Sequence, residues 1–117
     1  MNVQDEIRRV FELEIRTLQQ ARDASDETYT KAVELLFNCT GKVVVTGMGK
    51  SGIVARKIAS TMVSTGTPAV FLHPGDAMHG DVGIAGKGDV IVALSKSGET
   101  EELLGILLYL KNIGVPV

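Results

Sequence analysis

The chain has 117 residues, 44% of them hydrophobic and 22% charged, which suits one compact domain and leaves too little for two. A formal charge of −2 provides no basic field for nucleic acid or anionic lipid. The acidic N-terminus MNVQDEIRRV is no signal peptide, and the apolar runs fall far short of the roughly 20 residues of a membrane span. The expected compartment is therefore the cytoplasm.

Residues 5–20 carry Ile7, Val10, Phe11, Ile15 and Leu18 at steps of three and four, the spacing of an amphipathic helix. Residues 26–39 repeat it with Tyr29, Val33, Leu36 and Phe37, and the polar stretch between them supplies a turn and an N-cap. This helical pair, residues 1–40, shows no evident chemistry and is expected to pack on a sheet or on a second subunit. Cys39 excludes an intrachain disulfide because it has no second cysteine to meet. With no base or cation nearby, it reads as a small apolar residue at a helix end.

From residue 41 to residue 117 the pattern alternates strand and helix. Lys42–Thr46 is a β-branched strand, followed by a glycine turn and a helix through Ile53, Ile58 and Met62. Gly66-Thr67-Pro68 ends that helix and opens a second strand, Ala69–Leu72. A long Gly-rich loop is expected over residues 73–89. Val90–Leu94 forms a third strand, a helix runs through Leu103 and Leu110, and Val115-Pro116-Val117 opens a fourth strand. The alternation predicts an α/β fold with a parallel sheet in the flavodoxin-like order 2-1-3. Right-handed crossovers then bring the loops after Thr46, Leu72 and Leu94 to one edge. Because the fourth strand has only begun, the chain is expected to be a piece of a longer protein.

Gly47-x-Gly49-x-x-Gly52 matches the dinucleotide fingerprint in a strand-to-helix turn. A nicotinamide site also wants an acid at the end of the second strand, and His73-Pro74 stands there instead. A Walker loop would need glycine where Val44 lies. Generic phosphate binding by backbone N–H groups survives, and nucleotide binding drops to second place. Lys50, in the same turn, is well placed to neutralise a phosphate or an oxyanion, although most lysines are simply solvated.

Ser95-Lys96-Ser97-Gly98-Glu99-Thr100 is the strongest local signal. Three hydroxyls and a glycine before a helix form a nest for phosphate, where plain capping would explain only one serine. Of the following acids, Glu99 and Glu102 share a helix face, and a carboxylate one turn beyond the nest suits a base. His73 and His79 bracket the second loop with no standard metal spacing, which favours ligand contact over an obligatory metal.

Taken together, GMGKSG, STGTPAVFLHPGDAMHGDVG and ALSKSGETEEL resemble the arabinose 5-phosphate isomerase family of the sugar isomerase (SIS) domain. The resemblance implies a five-stranded parallel sheet, a homotetramer, and CBS modules that often follow the isomerase domain. It implies interconversion of ribulose 5-phosphate and arabinose 5-phosphate for Kdo in lipopolysaccharide or capsule. Lys50 and Glu102 match the family's catalytic lysine and first catalytic glutamate. Gly66, Thr67, His73, His79 and the loop Ser95, Ser97, Gly98, Thr100 match its substrate contacts, and Ser51 accompanies Lys50 in the phosphate turn. His73 also resembles a position that can take up zinc, which the reaction does not need; no cofactor is required. A second glutamate and a histidine of the family site would follow Val117, so the chain by itself is expected to be inactive. The rival reading is a non-catalytic phosphosugar sensor, and the presence of Lys50 and Glu102 beside the nest favours the enzyme.

Overall fold

The computed structural model describes residues 2–98 and 101–117. The chain divides into two compact units, residues 1–34 and 35–117.

The first unit is dominated by helix α1, Val3–Ala24, capped by the Asn2 side chain, which accepts from the Gln4 N–H at 2.9 Å. Its apolar stripe includes Ile7, Val10, Phe11, Ile15 and Leu18, all of them exposed. Helix α2, Glu27–Phe37, starts at Asp26, whose carboxylate accepts from the Thr28 N–H at 2.9 Å. The cap expected between the two helices is therefore Asp26.

The second unit is built on three parallel strands, β1 (Val43–Gly47), β2 (Ala69–Leu72) and β3 (Val90–Leu94), in the order β2-β1-β3. The register sets Val43 beside Ala69 and Val90, and Gly47 beside Leu94. β1 is central and buried throughout, which is why its sequence reads as an unbroken apolar run rather than an alternation.

Alternate β1 residues serve opposite faces. Val43 and Val45 pack with Ala55 and Ala59 of helix α3, Gly49–Ser64, and with Leu36 and Cys39 from the end of α2. Cys39 is thus a packing residue, its thiol directed at the carbonyls of Gly88 (3.3 Å) and Lys42 (3.5 Å). Val44 packs on the other face with Leu72, Ile91, and Ile106 and Leu110 of helix α5, Glu101–Asn112. Gly52, Ala55 and Ala59 form the buried stripe of α3, and their small size lets the helix lie close to the sheet.

The segment 73–89 departs from the expected loop. It contains a short helix α4, Pro74–Met78, and a 3₁₀ turn, Asp81–Ile84. Pro74 supplies the fixed φ of a first helical residue, and Ala77 and Ala85 bury themselves in the Val44 core. The composition, rich in glycine and polar residues, concealed this helix because only tertiary burial holds so short a turn.

Residues 115–117 form no strand, yet Ile91 N–H on β3 donates to the Pro116 carbonyl at 2.9 Å and Val115 is buried. The chain therefore meets the open side of β3 where a fourth strand was expected. At the opposite end of the strands, buried Asp89 accepts from Lys42 N and Nζ, both at 2.8 Å, and from Gly86 N at 3.0 Å. Burial pushes the Asp89 carboxyl up. The hydrogen bonds from Lys42 and Gly86 and the Lys42 charge outweigh it, holding the group below the usual carboxylate range.

Candidate functional site

The C-terminal edge of the sheet carries the loops that the motifs occupy. Two of them meet: Met48 and Ser51 from the turn after β1, and Leu94, Ser95, Lys96 and Ser97 from the loop after β3, line one cavity of about 470 Å³. β1 and β3 are direct neighbours, and this is the place a parallel sheet offers to a ligand.

The glycine turn is shaped by close packing. A Cβ on Gly52 would stand 2.5 Å from the Gly47 carbonyl oxygen, and one on Gly47 would stand 2.9 Å from Ser51 backbone. Gly49 takes φ +56, a left-handed conformation that side chains disfavour. Two of the three fingerprint glycines thus let strand and helix touch, and the third turns the chain. Lys50 follows in the exposed first turn of α3, beside Ser51.

In the serine loop, Ser95 Oγ accepts from the Gly98 N–H at 2.8 Å, and Gly98 has φ +72. This is a local nest closed on itself, and it spans Ser97. Thr100 and Glu99 lie outside the described residues. Glu102 sits exposed in the first turn of α5.

The histidines occupy a different place. His73 follows β2 and caps α4, its Nδ1 accepting from the Gly75 N–H at 3.0 Å. It lines a second cavity of about 560 Å³ with Arg56, Phe71, Asp76, Asp81 and others, at the free edge of β2. His79 is exposed at the C-terminal end of α4. Among the described residues no group of three or more His, Cys, Asp or Glu side chains is placed to hold a metal ion.

Gly66 and Thr67 lie at the other edge of the sheet. The Gly66 N–H donates to Val63 O at 3.1 Å and the Thr67 N–H to Met62 O at 2.9 Å, with Gly66 at φ +92. These bonds form the paired closure that ends many helices. Six steps of nearly extended chain, about 20 Å, separate Thr67 from His73. The structure therefore brings Ser51, Ser95 and Ser97 together and does not bring Gly66 or Thr67 to them.

Two residues with a place beside His73 had no motif to mark them. The Arg56 guanidinium carbon lies 4.1 Å from the Phe71 ring centroid, and that ring meets His73 edge-on at 6.4 Å. The available signal was alternation: residues 71 and 73 leave an extended chain on the same side.

The fold is an α/β domain whose parallel sheet opens its loops at one edge, and a family profile described as SIS domain matches residues 35–117. The chain belongs to the SIS domain family. It is 44% identical over 110 residues to an arabinose 5-phosphate isomerase KdsD of Francisella tularensis, covering 92% of this chain and 34% of the relative. Against the KdsD protein of Pseudomonas aeruginosa it is 49% identical over 107 residues, covering 86% of this chain and 33% of that one. The chain thus spans about a third of the length of these curated relatives. Among solved structures, E. coli CFT073 c3406 in complex with arabinose 5-phosphate superimposes with a TM-score of 0.86 at 42% identity, over 98% of this chain and 63% of that one. Phosphoheptose isomerase GmhA of Neisseria gonorrhoeae, at 20% identity and TM-score 0.75, shares the fold, over 97% of this chain and 72% of its own.

Proposed function

We propose that the intact protein interconverts ribulose 5-phosphate and arabinose 5-phosphate. The observation that carries this reading is the convergence of Ser51 and Ser95–Ser97 on one cavity at the strand ends. The similarity to KdsD proteins, and to a structure holding arabinose 5-phosphate, supplies the substrate class.

In this reading the serine loop, with Gly98 and Thr100, and the glycine turn grip the phosphate and fix the sugar carbons. Glu102 takes part in moving a proton between adjacent carbons through an enediol, and Lys50 stabilises the oxyanion that appears on the way. The exchange is redox-neutral, so it needs no external electron carrier, and the enediol route runs on acid–base groups. Gly66 and Thr67 lie too far from Ser95 to touch the same small substrate within one chain. If they contact substrate, a second copy supplies them, in keeping with a homotetramer. The exposed apolar stripe of α1 offers surface for such association. No helix among the described residues is long and apolar enough to cross a membrane. A cytoplasmic enzyme feeding Kdo for lipopolysaccharide or capsule completes the proposal.

The test is direct. The full-length protein, incubated with arabinose 5-phosphate, should produce ribulose 5-phosphate, followed by NMR of the sugar carbons. Tight binding without turnover would instead identify a phosphosugar sensor.

A further inference from the structure

The cavity at the free edge of β2 contains one continuous set of contacts from helix α3 to the imidazole of His73. The Arg56 guanidinium stands over the Phe71 face at 4.1 Å, within the range where a ring quadrupole holds a cation. From Gly52 the same ring is close enough that a Cβ there would lie 3.6 Å from its tip. Phe71 is thus confined between the first turns of α3 and the cation above it. Its ring meets His73 at a centroid distance of 6.4 Å and an interplanar angle of 73°, an edge-to-face arrangement.

The other side of the imidazole is fixed by the backbone. His73 Nδ1 accepts the Gly75 N–H at 3.0 Å, so in the neutral ring that nitrogen carries no proton. The proton must then reside on Nε2. Among the described residues Nε2 has no hydrogen-bond partner, and Asp76 and Asp81 line the cavity without forming an ion pair with the ring. An oriented donor is left on an exposed ring that lines this cavity, just beyond the C-terminal end of β2.

We infer that Phe71, clamped by Arg56, acts with the Gly75 N–H as a positioning group that holds His73 as its Nε2–H tautomer, a donor for a hydroxyl or phosphoryl oxygen of the sugar phosphate. The ligand half of this inference rests on the proposed function; the tautomer half does not. Averaging between two tautomers would halve the time the donor is presented and cost the α4 cap.

The experiment uses the full-length protein labelled with ¹⁵N-histidine. Two-bond ¹H–¹⁵N correlation NMR is recorded well above the usual imidazole pKa of about 6.5, the His73 signals being assigned by their loss in His73→Gln. A single Nε2–H pattern is expected, retained in Phe71→Tyr and collapsing to a tautomer average in Phe71→Leu and, more weakly, in Arg56→Met. An Nδ1–H pattern, or one indifferent to Phe71→Leu in a variant that still melts cooperatively, overturns the positioning role. Calorimetry with arabinose 5-phosphate tests the ligand half. Glutamine reaches the Nε2 position but caps poorly, whereas asparagine caps well and cannot reach. His73→Gln should bind within about threefold of wild type and His73→Asn about tenfold weaker, a factor typical of one lost hydrogen bond. The reverse order would reduce His73 to a helix cap. Failure of wild type to bind sugar phosphate at all would overturn the ligand half together with the isomerase reading, while the spectrum alone decides the tautomer.

Discussion

Thr46 donates through Oγ1 to the Leu72 carbonyl at 2.5 Å, joining the ends of β1 and β2 where the glycine turn and His73 begin. Thr46 is fully buried, so its hydroxyl has no water to turn to. Thr46→Val keeps the shape and strands the Leu72 oxygen. A loss of about 1–3 kcal/mol in urea unfolding is expected, and Thr46→Ser should recover most of the hydrogen bond. Equal stability of the valine variant and wild type would remove this bond from the account.

Asp89 and Lys42 anchor the opposite ends of β1 and β3. Because folding lowers the Asp89 pKa, its contribution is present above the unfolded value near 3.9 and is lost as pH falls through the lower folded value. Asp89→Asn should therefore destabilise the protein at neutral pH by about 1–3 kcal/mol, since charged hydrogen bonds are lost. It should also flatten the fall in stability between neutral pH and pH values below that range. Unfolding midpoints measured across that window check both; an unchanged slope would mean that other carboxylates govern the acid limb.

The glycines of the first turn are not equivalent. An alanine at Gly52 drives its Cβ against the Gly47 carbonyl, backbone that cannot yield without separating β1 from α3. Overpacking of this kind costs about 1–3 kcal/mol. At Gly49 nothing lies within 4 Å, and the cost comes from φ +56 alone, about 1–2 kcal/mol less what alanine recovers by restricting the unfolded chain. Gly52→Ala should be the more damaging of the two in thermal melts and should also weaken sugar-phosphate binding. The opposite ranking would show that the turn's conformation, rather than close packing, governs this motif.

If the proposed reaction is right, Lys50 and Ser97 should separate chemistry from binding in the full-length protein. Lys50→Met should lower kcat by about a hundredfold to a thousandfold with little change in affinity, as for removal of a group that meets charge only in the transition state. Glu102→Gln should behave in the same way. Ser97→Ala should weaken arabinose 5-phosphate binding about tenfold or more, the usual effect of losing a bond to a charged group. Steady-state kinetics with calorimetry on the same variants distinguishes the roles. A raised KM with intact kcat for Lys50→Met would make it a phosphate ligand.

The strands and long helices could be read from local pattern because each signal is itself local. Val43-Val44-Val45 announces a strand buried on both faces, and the leucine spacing from Leu103 to Leu110 announces a helix with one buried side. The serine loop was equally legible, since hydroxyls, glycine and a helix start occur within six consecutive residues. α4 was not. Five residues containing proline and glycine have too little helical propensity to declare themselves, and they hold only because Ala77 joins the Val44 core and His73 supplies a cap.

Tertiary structure alone decided which motif residues share a cavity. Sequence placed Gly66, Thr67, His73 and Ser95 in one set by resemblance, but chain direction puts the first two at the entry of β2 and the others at strand exits. The pairing of Arg56 with Phe71, and through it the hold on His73, was likewise invisible, because no local period links a helix residue to a strand 15 positions later. Composition and spacing determine what each segment can become; only the close packing of α3 on the sheet, which its small residues permit, determines which side chains then meet.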